Sequence, residues 1–416
     1  MTNRRTTGLL LAAGLFSLAA TAAHAGGLER GGYDIDPLFD ATRVTGFVSE
    51  TFVMPERRLN NVVDTNNIDG IGTTGTGGGA TDGVHESPAY TVPKMGIKLG
   101  LGDHVDCLAD YSQPWGAHLD PGNGWAGLNS NIETRIDSDN YAATCSYRMT
   151  FGKGQARIIG GLFYQEVSGF KVRQVVPDST VIGNGTGRLD LAGHGVGWRI
   201  GAAYEIPEIA LRASVLYNSK VDLGNITGML DISEVNGSPL IPIFGNQAMP
   251  QTLELKAQSG IAKDWLAFGS VKWVDWSTFQ IVSFCSQAIM GTRPCTFGDV
   301  AKLASLDFLY RDGWTLSGGV AHKFSDLWSA QASLAWDRGT TTGLSSRTDM
   351  WTLSAGASFT PRADMELRLG GALGILTAGS VGAEAEADGT LHGTDVSYSF
   401  GNDLIAALST SFKIKF

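Results

Sequence analysis

Apolar and polar residues alternate along most of this chain with a period of two, as they do in a β-strand whose two faces meet different surroundings. The pattern is clearest over residues 404–416, where mostly apolar residues at even positions alternate with small or basic residues at most odd positions. It recurs over 251–261 and 365–376. A soluble β-sandwich shows the same alternation, so the number and the connections of the segments must separate the two folds.

The alternation predicts fourteen strands, at residues 45–54, 93–101, 104–114, 139–151, 155–175, 193–206, 210–223, 251–261, 265–276, 314–324, 327–337, 351–360, 365–376 and 403–416. Six short connections take turns with seven longer ones rich in Gly, Asn, Thr and Asp, so every short turn lies at the same end. Outer-membrane barrels combine short periplasmic turns, longer outer loops and strands of ~9–11 residues. The pattern therefore predicts an all-β fold, a 14-stranded antiparallel transmembrane β-barrel formed by residues 44–416.

Composition agrees with a membrane barrel. The 416 residues include 55 Gly, and 17% are charged, against about 25% in soluble domains. The net charge of −10 argues against nucleic acid as a partner. Seven Trp lie near predicted strand ends, where barrels carry aromatic girdles: Trp265, Trp273, Trp276, Trp314, Trp328, Trp336 and Trp351.

Charged residues within the predicted strands fall on the face opposite the apolar one. We expect this face to line the lumen, because a basic residue on the lipid face costs about 2–4 kcal/mol at the midplane. The residues concerned are Arg212, Glu254, Lys256, Lys272, Glu366, Arg368 and Lys413.

The first 25 residues have the pattern of an export signal. Arg4 and Arg5 precede an apolar run from Gly8 to Ala20, and Ala23-His24-Ala25 has the small-x-small form of a cleavage site. The run is shorter than the ~20 residues that span a bilayer as a helix. We expect residues 1–25 to be a signal peptide.

Export permits disulfides. Cys285 and Cys295 flank a short segment and are expected to close it as a stapled loop. Cys107 and Cys145 lie inside two alternating segments, where a cross-strand bridge and two buried free thiols are both open. Neither pair has metal-ligand spacing. The chain carries no GxSxG, HExxH or GxxxxGK[ST] motif, so we expect no enzyme activity, no cofactor and no metal.

Several strings resemble the FadL-like (OMPP1/FadL/TodX) family of outer-membrane transporters for long-chain fatty acids and hydrocarbons: NYAATCSYRM, WLAFGSVKWVDWSTF, YRDGWTLSGGVAHKFSDLWSAQASLAW and the tail TSFKIKF. The resemblance runs from about Asp139 to Phe416 and more loosely from Gly26. It implies a monomeric fourteen-stranded barrel in the outer membrane of a Gram-negative bacterium, in contact with outer-membrane lipid. It also implies an N-terminal plug and passive inward diffusion of hydrophobic small molecules or fatty acids. A water-filled general diffusion porin is the alternative function.

Residues 26–43 are the expected plug. They are shorter than the family's usual hatch and lack its Asn-Pro-Ala signature. Leu38 and Phe39 are candidate ligand contacts, and the carboxylates of Asp34, Asp36 and Asp40 are candidates to pair with basic residues of the lumen. A simple entry into the first strand is the other interpretation of this segment.

The stretch 224–250 is predicted as an outer loop and is unusually apolar. Large exposed apolar patches mark binding sites, and the position matches the capture loop that the resemblance implies. An inward-folded cap is an alternative that the same residues permit. The candidate ligand-binding residues are Met229, Leu230, Leu240, Ile241, Ile243 and Phe244.

Gln113 and Pro114 close the third predicted strand. Pro cannot donate to the ladder and is confined to edges, strand ends or bulges. The family's third strand has an inward kink that opens a lateral window from the lumen to the bilayer, and these two residues are the candidates for it. The other interpretation is that Pro114 only ends the strand at the outer rim.

Overall fold

The computed structural model describes residues 26–65, 79–175, 185–296, 298–385 and 389–416. The predicted signal peptide, residues 1–25, lies outside them. Within the described residues, no helix combines the length and apolarity that a membrane span needs.

Fourteen antiparallel strands form one closed wall, which confirms the predicted fold class. The strand β1 pairs with both β2 and β14, so the wall has no free edge. The strands are β1 (Val44–Pro55), β2 (Tyr90–Leu101), β3 (Val105–Ser112, resuming as Gly116–Leu119), β4 (Glu133–Phe151), β5 (Gly154–Val175), β6 (Gly185–Ile206), β7 (Leu211–Asn218, resuming as Val221–Asp231), β8 (Ile241–Met249, resuming as Thr252–Ala262), β9 (Trp265–Val274, followed by Ile281–Ser286), β10 (Lys302–Asp307, then Gly313–Lys323), β11 (Trp328–Arg338), β12 (Met350–Arg362), β13 (Met365–Leu376) and β14 (Asp403–Lys415).

The two faces of the wall follow the predicted alternation. In β13, the outward Leu367, Leu369 and Leu373 are exposed, whereas Glu366 and Arg368 are buried inside. Apolar side chains meet lipid, and charged ones meet each other in the lumen. The expected lumen side of the charged residues is confirmed.

Several strands extend further outward than the alternation predicts. The stretch 224–250 is a hairpin whose arms, Val221–Asp231 and Ile241–Met249, pair with each other and are joined by one helical turn at Ser233–Asn236. Its prediction as a loop is therefore wrong. One core accounts for half of the ten Ile, Leu, Met, Phe and Val residues in this stretch, which are the strand residues Ile226, Leu230, Ile241, Ile243 and Met249.

Outside the wall, Arg58–Asp64, Val84–His85, Gly379–Val381 and Val396–Phe400 form a four-stranded sheet over one side of the outer mouth. Arg57 anchors its base. Its guanidinium donates to Asp403 Oδ2 at 3.1 Å and to the carbonyl oxygen of Gly401 at 3.0 Å.

The N-terminal segment, residues 26–43, runs inside the barrel and is mostly buried. It contains a 3₁₀ turn at Asp36–Phe39, whose second residue, Pro37, is in the first turn, where no backbone N–H is needed. From this turn the chain enters β1 at Val44.

Candidate transport site

The wall is interrupted at residues 113–115, which we call the β3 break. The register of β3 with β2 ends at Ser112 opposite Lys94, and its register with β4 stops there and resumes at Gly116 opposite Asp137. Residues 90–93 of β2, all described, thus have no register partner on β3. The break contains both predicted residues, Gln113 and Pro114.

The N-terminal segment supplies backbone partners at the β3 break. The N–H of Arg30 donates to the carbonyl oxygen of Pro114 at 3.0 Å, and the N–H of Gly116 donates to that of Leu28 at 2.7 Å. A β-bridge joins Glu29 to Trp115 between these two bonds. Because an unpaired backbone group in hydrocarbon costs several kcal/mol, these bonds stabilise the carbonyl oxygen of Pro114 and the N–H of Gly116 where the strand leaves the wall.

Ion pairs tie the N-terminal segment to the lumen side of the wall. Asp36 accepts from Lys256 Nζ at 3.3 Å and lies 3.5 Å from Arg212 Nη2, and Asp40 lies 3.4 Å from Lys413 Nζ. Further toward the N-terminus, Glu29 pairs with Lys272 and Arg30 pairs with Asp137.

Asp34 behaves differently from the other two predicted carboxylates. Its Oδ1 accepts the backbone N–H of Asp36 at 2.9 Å, and the described residues offer it no ion pair. The structure thus brings two of the three carboxylates of the segment to lumenal basic groups.

Leu38 and Phe39, predicted as ligand contacts, are buried in a cluster with Leu108, Ile159 and Leu216 of the wall. The guanidiniums of Arg157 and Arg212 lie 5.1 and 4.5 Å from the centre of the Phe39 ring. This packing seats the 3₁₀ turn against the wall. Their contact with ligand stays a prediction.

Two lysines of β2 that the sequence analysis did not single out also hold this segment. Lys94 Nζ donates to the carbonyl oxygen of Gly31 at 2.7 Å, and Lys98 Nζ donates to that of Thr42 at 2.6 Å. Their even positions in a strand whose odd positions are apolar place them on the lumen face, and that signal was available in the sequence.

An aromatic cluster crosses the lumen beside the β3 break. Trp115 is fully buried and lies edge-on to Tyr33 at 5.8 Å and to Trp276 at 5.2 Å between ring centres. Trp276 continues the contacts to Phe279 and Tyr310. The prediction of Trp276 as a girdle residue is wrong, because it follows β9 on the lumen side and is 0% exposed.

Above this cluster lies a small cavity of about 70 Å³ with an almost wholly apolar lining, which we call the apolar cavity. The outer parts of β4 to β10 surround it, and Leu28 of the N-terminal segment forms part of its lining. Its other apolar lining residues include Leu191, Leu223, Met249, Phe279 and Phe308.

The predicted capture residues divide between this core and the surface. Ile243 and Phe244 are buried, and Leu230 and Ile241 pack against the core cluster that contains Ile243. Leu240 is 53% exposed at the hairpin turn. Met229 is half-buried opposite Pro242. The hairpin therefore builds a wall next to the apolar cavity, and Leu240 alone of the six presents a largely exposed side chain.

The tip of this hairpin is tied to β6. Thr186 donates from its backbone N–H at 3.0 Å and from its hydroxyl to Glu234 Oε2. These hydrogen bonds favour the carboxylate and hold the pKa of Glu234 below its usual range. The charged form that accepts both bonds therefore persists at neutral pH.

A second, polar cavity of about 200 Å³ lies on the opposite side of the N-terminal segment. Its lining combines Asp36, Lys256 and Lys272 with small hydroxyl side chains of β9 to β14, such as Ser317 and Ser354. The lumen is thus divided by chemistry into an apolar outer side and a polar side.

Both predicted disulfides are present. Cys285, at the outer end of β9, is bonded to Cys295, and Cys107 and Cys145 are bonded as register partners of β3 and β4. For Cys107 and Cys145, the structure therefore shows the cross-strand bridge and not two free thiols.

A family model described as outer membrane protein transport protein (OMPP1/FadL/TodX) matches residues 47–398. The chain belongs to this family. The resemblance seen in the sequence is confirmed. As a member of the OMPP1/FadL/TodX family, the protein is a β-barrel of the Gram-negative outer membrane, and its family is one of transport proteins rather than of enzymes.

Relatives of two kinds are similar to this FadL/TodX-family chain. A long-chain fatty acid transport protein of Salmonella typhi is 22% identical over 352 residues, which cover 77% of this chain and 79% of that protein. The crystal structure of a Pseudomonas aeruginosa FadL homologue has a TM-score of 0.73 and 15% identity over 92% of both chains. The P. putida toluene transporter TodX has a TM-score of 0.60 and 15% identity, over 95% of this chain and 99% of that one. At these identities, the structural likeness shows the fold.

Proposed function

We propose that this barrel passes hydrophobic small molecules, such as fatty acids or hydrocarbons, inward by passive diffusion. The ligand enters the apolar cavity from outside, and it leaves sideways through the β3 break rather than along the barrel axis. The observation that carries the proposal is that one short segment, Leu28–Arg30, lies next to both the apolar cavity and the β3 break. Leu28 lines the cavity, and its carbonyl oxygen accepts the N–H of Gly116 at the edge of the break.

Capture is the first step of the proposal. Burial of apolar ligand surface gains roughly 25 cal/mol per Å², and the apolar cavity offers almost no polar group that would have to give up water. A cavity of about 70 Å³ is smaller than a fatty acid or a toluene molecule. The surrounding side chains, several of them flexible Met, Leu and Ile, must therefore move apart as the ligand enters.

The plug is the second step. The N-terminal segment crosses the lumen and is held by ion pairs of Glu29, Asp36 and Asp40 with basic residues of four different strands. A general diffusion porin requires a continuous water-filled lumen, and this segment supports a transporter over a porin. A ligand that diffuses passively from the apolar cavity reaches the barrel wall before it reaches the periplasmic end of the lumen.

The exit is the third step. At the β3 break, Arg30 and Leu28 bond the backbone of Pro114 and Gly116, and the hydroxyl of Ser138 in β4 bonds that of Trp115. A shift of the segment Leu28–Arg30 uncovers the gap between β2 and β3 without breaking any ladder of the closed wall. The ligand then reaches the outer leaflet without crossing water, which suits poorly soluble molecules.

One experiment tests the proposed function and identifies the class of the ligand. We expect native mass spectrometry of the detergent-purified protein to detect a copurified hydrophobic molecule bound to a monomer, and cells that produce the protein to take up that molecule faster than cells without it. The masses distinguish a fatty acid from a hydrocarbon. Uptake equal to that of cells without the protein, for both classes, contradicts the proposed function.

A further inference from the structure

One of the other irregular places in the wall lies between β6 and β7. Leu211–Asn218 pairs in register with Ile206–Arg199, and the ladder resumes where Thr227 faces Ala192. Between these ladders, the eight residues 219–226 of β7 face only the six residues 193–198 of β6. All of them are described, and none has a register partner in the other strand. At the lower edge, however, the N–H of Ser219 donates to the carbonyl oxygen of Trp198 at 2.8 Å, and the N–H of Trp198 donates to Ser219 Oγ at 2.9 Å. We call residues 219–226 the β7 bulge.

Glycine dominates the lumen side of β6 beside this bulge. Gly193, Gly195 and Gly197 alternate with outward-facing His194 and Val196. A carbon added at Gly193 would lie 3.0 Å from Ile226 Cγ1 and 3.3 Å from Leu223 Cβ. The absence of side chains at Gly193 and Gly195 is what lets the β7 bulge pack directly on β6.

The β7 bulge also contains a turn of its own. Gly224 has a φ of 60°, a conformation that favours glycine. Its N–H donates to Asp222 Oδ1 at 2.9 Å. Bulges of this kind disrupt the ladder locally and are over-represented next to functional sites.

The β7 bulge separates the apolar cavity from the outside of the barrel. Leu191 and Ala192 of β6 and Leu223 and Ile226 of the bulge all line that cavity. Lys220, Asp222 and Asn225 of the same bulge are exposed. The bulge is thus one layer of chain with the cavity on one side and the surroundings on the other.

The height of the bulge points to the outer leaflet. Trp198 and Tyr217 meet with their ring centres 5.3 Å apart, where the lower ladder ends. Amphipathic rings of this kind mark the membrane interface of barrels. The exposed polar residues of the β7 bulge follow immediately, as expected at the headgroup level.

We propose that the β7 bulge is a second side opening, through which hydrophobic molecules pass between the outer leaflet and the apolar cavity. It is separate from the β3 break, and three strands lie between the two. Leu223 and Ile226 close it by covering Gly193, and displacement of the bulge opens it. The proposal rests on the proposed function, since it supplies that function with a second path.

A disulfide across the closed opening tests this proposal. Gly193→Cys with Leu223→Cys places the two Cβ atoms 3.3 Å apart, so a small outward shift of the bulge brings them to the roughly 3.5–4.5 Å that a disulfide needs. Ala332→Cys with Ala355→Cys is the matched control, because these outward residues are register partners in the regular ladder of β11 and β12. Both variants are assayed in oxidised cells with and without dithiothreitol, with pyrenyl-decanoic acid as the probe.

We expect the oxidised Gly193→Cys/Leu223→Cys variant to lose part of its uptake and to regain it on reduction. Addition of Pro114→Ala to the oxidised variant lowers uptake to the rate of cells without the protein. The control disulfide changes nothing, and wild type treated with the same reductant corrects for the native disulfides. Unchanged uptake with the disulfide formed overturns the second opening and leaves the proposed function standing. Wild-type uptake equal to that of cells without the protein contradicts the proposed function itself.

If the double-cysteine protein fails to fold, a variant that is expected to raise the uptake rate tests the same proposal. Ile226→Ala removes part of the cover over Gly193 and should raise the uptake rate. Its surface level and heat-modifiable migration are checked against wild type. Unchanged or lower uptake by a correctly folded Ile226→Ala protein contradicts the role of the β7 bulge.

Discussion

The backbone N–H of Arg30 donates a hydrogen bond of 3.0 Å to the carbonyl oxygen of Pro114, although the two residues belong to the N-terminal segment and to the third wall strand. Pro114 lacks an N–H of its own, so the strand cannot form a continuous ladder at this position. The N-terminal segment takes the place of the missing wall partner. This bond therefore connects the plug proposed for the lumen with the exit proposed in the wall.

The first prediction concerns this proline. Pro114→Ala restores an N–H and permits β3 to pair continuously, so we expect hydrophobic uptake to fall. Barrel stability should stay equal or rise by roughly 1 kcal/mol, the net worth of one hydrogen bond. Uptake assays and thermal unfolding in detergent measure the two effects.

Pro361→Ala is the control for this substitution, because Pro361 is exposed near a periplasmic turn. It should leave uptake unchanged. Normal uptake by the Pro114→Ala protein would remove the β3 break from the transport path.

The second prediction concerns the anchors of the N-terminal segment. Asp36→Asn with Asp40→Asn removes the carboxylates by which the segment pairs with Arg212, Lys256 and Lys413, whereas the pairs of these lysines with Glu254 and Glu366 of the wall remain. Loss of one member of a buried pair costs about 3 kcal/mol. We expect the segment to loosen and the ion conductance of single proteins in planar bilayers to rise.

Asp34→Asn is the matched substitution, since the Asp34 carboxylate receives a backbone N–H rather than a lumenal cation. Its conductance should equal that of wild type. If the double variant conducts no more than Asp34→Asn does, the ion pairs do not hold the plug.

The third prediction separates surface capture from core packing in the outer hairpin. Leu240→Asp changes an exposed side chain and should weaken uptake while leaving the melting temperature unchanged. Ile243→Asp puts a carboxylate into a fully buried apolar site, so the hairpin itself should be destabilised by several kcal/mol. Uptake and thermal unfolding are measured for both. Wild-type uptake by the Leu240→Asp protein would exclude its side chain from ligand capture.

The fourth prediction concerns the outer disulfide. Cys285→Ser with Cys295→Ser frees a short loop next to Phe284, which lines the apolar cavity. In the chain-entropy model, the lost cross-link costs about 3 kcal/mol. We expect faster proteolysis of this region and a barrel that still migrates as a folded species. Peptide mapping of the wild-type protein with two free thiols at these positions would contradict the bond.

The number of wall strands was accessible from the sequence because lipid on one face and a lumen on the other impose a period of two, as in β13 and β14. The outward extensions of several strands beyond the membrane could not be predicted from the sequence. Above the membrane, the outward face of a strand meets water instead of lipid, so the half-buried Asp190 and the exposed Asp222 and Asn225 make these strands resemble loops.

The candidate site was partly accessible for a similar reason. Pro114 marked the β3 break because proline has a chemical signature in a strand. Its partners, Leu28 and Arg30, act through backbone atoms that any residue carries, so the sequence gives no sign of them. Trp276 lies two residues beyond the end of β9 and turns into the lumen, which composition alone does not distinguish from a girdle position.

Photolabelling in native outer membranes tests the central claim, sideways exit through the β3 break, most directly. A diazirine-bearing palmitic acid is activated by light during uptake, and the labelled peptides are mapped. Sideways exit predicts labels at the apolar cavity and at residues lining the gap between β2 and β3, such as Tyr90, Val92 and Trp115. It also predicts that Pro114→Ala abolishes the labels at the gap and keeps those at the cavity. Labels that instead follow the polar lumen past Arg368 and Lys413 to the periplasmic end would contradict it.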